Sequence, residues 1–209
     1  MWAGLGVAAC FGLFNGVCAA KTRMPPFIIT LATMLIARGV ARRFNKGLPL
    51  SIPQHQTVFW ALGNRKLLDL LPAALADPLA AAKENGWHLA GFVYYLLETV
   101  PIPVLVMLAI FAVLAVLLHR TRFGQHLYAM GGNREAARFT GIPLARNEIL
   151  VYTICALLAG AAGMIHTSQL NCAEPAAGEG FELAAIAAAV VGGTSFTGGV
   201  GTMLGTLLG

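Results

Sequence analysis

Few residues in this chain have the types and spacing to do chemistry, and those few do not form a catalytic set. Gly193, Thr194, Ser195, Phe196 and Thr197 follow a GxSxG nucleophile turn until the last position, where Thr197 stands in place of glycine. Ser195 therefore reads as a residue at a helix break. No GxxxxGK[ST] phosphate loop, no HExxH pair and no two carboxylates in a cleft-like context occur. Cys10, Cys18, Cys155 and Cys172 make no CxxC pair, and three of them fall inside apolar runs, which argues against a zinc site or a disulfide framework. No catalytic residue, metal or cofactor is expected.

The most informative polar segment is residues 121–143, TRFGQHLYAMGGNREAARFTGIP. Asn133 can cap a helix by accepting from its first free N–H groups, and Glu135 suits the positive end of the helix dipole. Gly141 fits the left-handed position after the helix, with Pro143 preventing continuation. The expectation is a helix of about two turns over 134–140. It carries Arg134 and Arg138 on one face and Ala136, Ala137 and Thr140 on others. Such a helix is too short to stand alone in water and needs a partner surface. An ordinary loop helix and a docking helix both fit this pattern.

The elements around it must be membrane spans. The chain has 209 residues, of which 57% are hydrophobic and 11% charged, and its mean hydropathy is +0.73. That excess of apolar surface requires lipid. The formal charge of +5 comes from short basic clusters at the ends of apolar runs, which fits membrane anchoring and not nucleic-acid binding. Apolar segments run over 2–20, 25–40, 100–118 and 149–165, each near the ~20 residues a span needs. The first lacks a basic n-region and meets Lys21 and Arg23 at once, so it reads as a span and not a signal peptide. From Leu183 the chain is apolar again but broken by Gly192, Gly193, Gly198, Gly199 and Gly201. Irregular backbone at membrane depth is tolerated only where protein or water covers it. The expected fold class is all-α, a polytopic transmembrane protein with about five membrane-inserted segments, the last one broken.

Residues 41–99 are interrupted by Pro49, Pro53, Pro72 and Pro78 and read as a long extramembrane loop with short surface helices. Small residues recur every four positions at Gly4, Ala8, Gly12 and Gly16, and again at Gly201, Gly205 and Gly209. Ladders of this kind let helix backbones approach closely in lipid. The basic residues nearest the membrane favour Lys21 on the cytoplasmic side, because Arg65, Lys66 and Lys83 lie well inside the long loop.

Gly131, Gly132 and Asn133 are followed by Glu135, Ala136 and Ala137, and by Gly141 with Ile142. Further motifs are PFIITL at 26–31 with Arg38 and Gly39, HRTRFG at 119–124, Gly180 with ELAAIAA at 182–188, and Gly192 to Ser195 with Gly198 and Gly199. Together, from Lys21 to Gly209, they resemble the motifs of the ribose, xylose, arabinose and galactoside-type ABC permeases.

The resemblance implies one partial transmembrane permease domain over 1–209, a periplasmic loop at 41–99 and a cytoplasmic coupling loop at 121–147. It places the protein in the bacterial inner membrane as a multi-pass subunit of a monosaccharide importer. The implied partners are an ABC ATPase subunit, a second permease copy, a periplasmic sugar-binding protein and membrane lipid; nucleic acid is not among them. Coupling to the ATPase falls on Gly131, Gly132, Asn133, Arg134, Glu135, Ala136, Ala137, Arg138 and Gly141. Gly192, Gly193, Thr194, Ser195, Gly198 and Gly199 become candidates for a path lining or a helix break. Arg42, Arg43, Lys46, Glu174, Glu179 and Glu182 are candidate docking charges, with a solvated rim as the bland alternative. Members of this family begin with further spans bearing a glycine-rich acidic motif and continue past the position of Gly209, so the chain is expected to be truncated at both ends. A permease for nucleosides, branched-chain amino acids or an autoinducer is the alternative reading, as is a non-transporting remnant.

Overall fold

The computed structural model describes residues 1–22, 24–52, 57–66 and 99–209. Most of the loop expected at 41–99 lies outside these described residues. The chain divides into two compact units, one formed by 1–50, 111–164 and 173–209, the other by 51–110 and 165–172.

The first unit opens with α1 (Trp2–Lys21) and α2 (Pro26–Phe44). Helix α1 ends where the Thr22 N–H donates to the Cys18 carbonyl at 2.9 Å. Its hydroxyl donates to the same oxygen at 2.7 Å. Proline residues open α2, with Pro25 as the cap and Pro26 in the first turn, where a missing N–H costs nothing. The two helices are stitched by the Thr33 hydroxyl, which donates to Asn15 Oδ1 at 2.8 Å. Thr33 is buried, and a hydrogen bond between helices is useful where no water competes for it.

Helices α4 (Ile102–Arg120) and α7 (Leu144–Leu170) are, with α1, the three described helices long and apolar enough to cross a membrane. They confirm an all-α membrane protein. Between α4 and α7 lie α5 (Arg122–Gly132) and α6 (Arg134–Phe139). The chain closes with α8 (Phe181–Val191) and α9 (Met203–Leu208). Eleven residues of α8 rise about 16 Å, roughly half the hydrocarbon thickness. The break expected among the glycines is therefore real: the helix stops at Val191, the backbone turns over 192–202, and α9 folds back. A Cβ on Gly192 would collide with the backbone of Gly205, and one on Gly205 with the backbone of Gly192.

The first small-residue ladder is the seam between α1 and α7. A Cβ added at Gly12 would stand 2.7 Å from Ala156 Cβ and 2.8 Å from Thr153 Cα; at Gly16 it would stand 2.8 Å from Ile149 Cα. Gly160 in turn packs on Ala8, and Gly4 faces Met164. The register is antiparallel and steps four residues at a time along both helices, the spacing of one helix face.

In the second unit, α3 (Thr57–Asn64) is held to the end of α7 through Ser168. That side chain is fully buried and its hydroxyl donates to the Phe59 carbonyl at 2.6 Å. Asn64 Nδ2 donates back to the Ser168 carbonyl at 2.9 Å. Gly63 lets the two backbones meet, since a Cβ there would be 2.8 Å from the Gln169 nitrogen. Two-residue strands, β1 (Leu50–Ser51) and β2 (Cys172–Ala173), pair as the one described sheet.

The structure departs from the sequence expectation at α7, which starts at Leu144 and not near Ile149. Arg146, Asn147 and Glu148 look like loop residues, yet they form its first turns. Pro143 fixes the entry, its carbonyl accepting from the Asn147 N–H at 3.2 Å; the Asn147 amide donates to Met130 Sδ of α5 at 3.6 Å, and Glu148 pairs with Arg134 of α6.

The ladder makes a testable distinction within one helix. Gly12→Ala should destabilise the protein by about 1–3 kcal/mol, the usual cost of overpacking. Gly6→Ala, with nothing within 4 Å of its new Cβ, should be neutral or slightly stabilising. Melting curves of the detergent-extracted protein would read the difference.

Candidate functional site

The polar segment between α4 and α7 is built from its turns upward. Thr121 caps α5: its hydroxyl donates to the Leu117 carbonyl at 2.5 Å and accepts from the Gly124 N–H at 3.4 Å. The chain folds back so tightly there that a Cβ on Gly124 would overlap the Leu118 carbonyl. Asn133 is the C-cap of α5 and the N-cap of α6 at once. Its N–H donates to the Ala129 carbonyl at 3.1 Å, and its Oδ1 accepts from the Ala136 N–H at 3.0 Å.

Helix α6 ends as its sequence suggests. Gly141 takes φ +79°, a conformation that costs a residue with a Cβ roughly 1–2 kcal/mol. The Ile142 N–H donates to the Ala137 carbonyl at 3.2 Å and the Gly141 N–H to the Arg138 carbonyl at 3.1 Å. These bonds satisfy carbonyls that the helix end leaves open.

Of the coupling residues expected from the sequence, Ala137 points inward and is only 3% exposed, anchoring α6 to the protein. Arg134 is tied to Glu148 of α7 at 2.5 Å. Gly132, Asn133, Glu135, Ala136 and Arg138 lie on the exposed side. Phe139, which the sequence reading passed over, is 86% exposed. The ring is left uncovered on a short, capped helix. Its signal in the sequence was the lone large apolar residue of a polar helix.

The structure brings together two groups of residues that lie nearly seventy positions apart in the chain. Gly131 and Gly132, at the end of α5, lie directly against Gly198 and Gly199 of the 192–202 turn. A Cβ on Gly131 would overlap the Gly199 nitrogen; one on Gly198 would be 2.9 Å from Gly131 Cα, and one on Gly199 2.9 Å from Gly132 Cα. Gly193, Gly198 and Gly199 also have positive φ, at +89°, +89° and +76°. The turn is bonded internally: the Ser195 N–H donates to the Val200 carbonyl at 3.0 Å, and the Ser195 and Thr197 hydroxyls are 2.7 Å apart. Ser195 thus bonds within the turn. The Thr194 side chain packs on Gly201.

The charges expected at the other end of α2 are largely engaged with each other. Arg38 reaches Glu179 at 3.6 Å and Glu182 at 3.4 Å, and Arg42 reaches Glu179 at 3.5 Å. Arg43, Lys46 and Glu174 remain exposed.

Apolar spans joined by a capped, partly anchored polar helix, with a re-folding helical hairpin of half-span length, are those of an integral membrane protein. The family model described as "branched-chain amino acid transport system / permease component" matches residues 1–209, and the chain belongs to that family. It is 39% identical to the ribose import permease protein of Bacillus subtilis over 195 residues, covering 93% of this chain and 51% of that protein. It is likewise 39% identical to the ribose import permease protein of Escherichia coli K12, covering 99% of this chain and 56% of that protein. The xylose transport system permease protein of Haemophilus influenzae is 33% identical, with 98% and 62% covered. The chain thus spans just over half the length of these curated relatives. No solved structure matches it.

The cap at Asn133 can be weighed directly. Asn133→Ala removes the acceptor of the Ala136 N–H and should cost about 1 kcal/mol. Hydrogen exchange at the Ala136 amide should then accelerate about fivefold, while amides in the middle of α7 exchange as before.

Proposed function

We propose that this chain is a transmembrane permease component of an ABC importer for a monosaccharide, contributing part of the translocation path and coupling to a separate ATPase subunit through α6. The single observation that carries this reading is the form of α6. It is capped at both ends, pinned on one side by Ala137 and by the Arg134–Glu148 pair, and it presents Phe139, Glu135 and Arg138 outward. A short helix that needs a partner surface, and holds an aromatic anchor ready for one, suits insertion into a groove of another protein. The ribose and xylose names of the relatives favour a sugar over the amino acids named in the family description.

On this reading α6 lies in the cytoplasm and the protein is a multi-pass subunit of the bacterial inner membrane, pairing with a second permease copy and embedded in lipid. A periplasmic sugar-binding protein approaches the opposite side. Because Arg42, Glu179 and Glu182 are paired within the chain, Arg43, Lys46 and Glu174 are the freer docking charges there. The interrupted backbone at 192–201 contributes to the path, as broken helices do in transporters.

Two substitutions test the coupling surface. Phe139→Ala deletes an apolar anchor whose burial is worth about 1.5–3 kcal/mol, so association with the ATPase subunit should weaken about tenfold or more. Glu135→Arg sets a positive charge at the positive end of α6 and should weaken it further. Unchanged co-purification of the ATPase with both variants would overturn the docking role.

A further inference from the structure

Resting on that reading of α6, we propose that the contact of Gly131 and Gly132 with Gly198 and Gly199 is the joint through which α6 moves the 192–202 turn, and that Tyr128 is the positioning residue that keeps it closed. Tyr128 lies on α5, one turn before the glycines. Its hydroxyl donates to the Gly201 carbonyl at 2.6 Å, and its ring stacks on His119 of α4, with centroids 6.3 Å apart and planes 26° from parallel. It therefore clamps the turn to the end of α4, beside the glycine crossing.

The crossing has the properties a joint requires. Four glycines meet backbone to backbone, with no side chain between them to absorb a displacement by changing rotamer. Close-packed contacts of this kind transmit strain. On one side of the crossing, Gly132 leads directly into Asn133, whose two caps lock α5 to α6. On the other, the turn is internally bonded and continues into α9, which packs backbone to backbone on the end of α8. A push on α6 is thus handed from α5 to the turn and on to the α8–α9 hairpin, without passing through the long spans. The Tyr128 hydrogen bond ends on a backbone carbonyl, so loss of the tyrosine hydroxyl is the change that removes it without altering the turn.

The test uses the chain assembled with its ATPase subunit in membrane vesicles. Thr197→Cys, at an exposed position of the turn, is introduced after Cys10, Cys18, Cys155 and Cys172 are each changed to alanine. The rate of maleimide labelling is read with and without ATP plus vanadate. In this background the nucleotide should change the rate several-fold. Adding Tyr128→Phe, which keeps the ring on His119, should reduce that change to less than twofold while the ATPase still co-purifies. Gly131→Ala should do the same by forcing the crossing apart. A purely structural tyrosine would instead lower the yield of assembled complex and leave the nucleotide response of the surviving complex intact. A full nucleotide response in Tyr128→Phe, with the ATPase bound, overturns the joint alone. Failure of the ATPase to bind the parent chain overturns the docking reading and the joint with it.

Discussion

Close backbone approach at glycines is the constraint on which most of this structure depends. Helices in lipid gain little from burying apolar side chains, because the tails around them are equally apolar, so association must come from close approach and from the few polar bonds available. Gly12 and Gly16 bring α1 onto α7, Gly192 and Gly205 fold α9 onto α8, and Gly131 with Gly199 sets the turn against α5. At each of these places a single methyl group would force the backbones apart. Polar bonds such as Thr33 to Asn15 and Tyr128 to Gly201 then fix rotation and register where glycine alone would permit sliding.

Function follows from where those contacts leave the chain free. The segment between α4 and α7 is held at its base by Gly124, Ala137 and the Arg134–Glu148 pair, yet its outer side, with Phe139, is open. A rigidly mounted but uncovered helix is suited to receive a partner with little loss of conformational entropy on binding. The same mounting touches, through the glycine crossing, the turn at 192–202 that interrupts the last apolar segment. The loop motif at 131–141 and the glycine-rich turn, which the sequence offers as two separate motifs, touch in three dimensions through Gly131, Gly132, Gly198 and Gly199.

Much of this was legible before any coordinates. The apolar runs at 2–20 and 100–118 became α1 and α4 almost unchanged, since length and hydropathy dominate in lipid. Asn133, Gly141 and Pro143 framed α6 because capping is a local affair of hydrogen bonds and φ. The periodicity of Gly4, Ala8, Gly12 and Gly16 marked a packing face. Less was visible where tertiary contacts override local signals. Helix α5 contains Gly124, Gly131 and Gly132, which read as loop residues, and is helical because its neighbours demand close approach. The start of α7 was hidden because Asn147 and Glu148 are polar, and only their partners in α5 and α6 make a helical course there favourable. The pairing of Tyr128 with Gly201 joins residues 73 positions apart, and no spacing in a single sequence reveals it. Motif resemblance, in contrast, identified the family from residues whose physical reasons emerged only in the fold.

The most direct test of the central claim is photocrosslinking from position 139 in intact membranes, with a benzoyl-phenylalanine in place of Phe139. The ring at this position is exposed on α6, and the account predicts that its dominant product is a covalent adduct with the ATPase subunit. Adducts confined to lipid, or to a protein of the opposite side of the membrane, would contradict it.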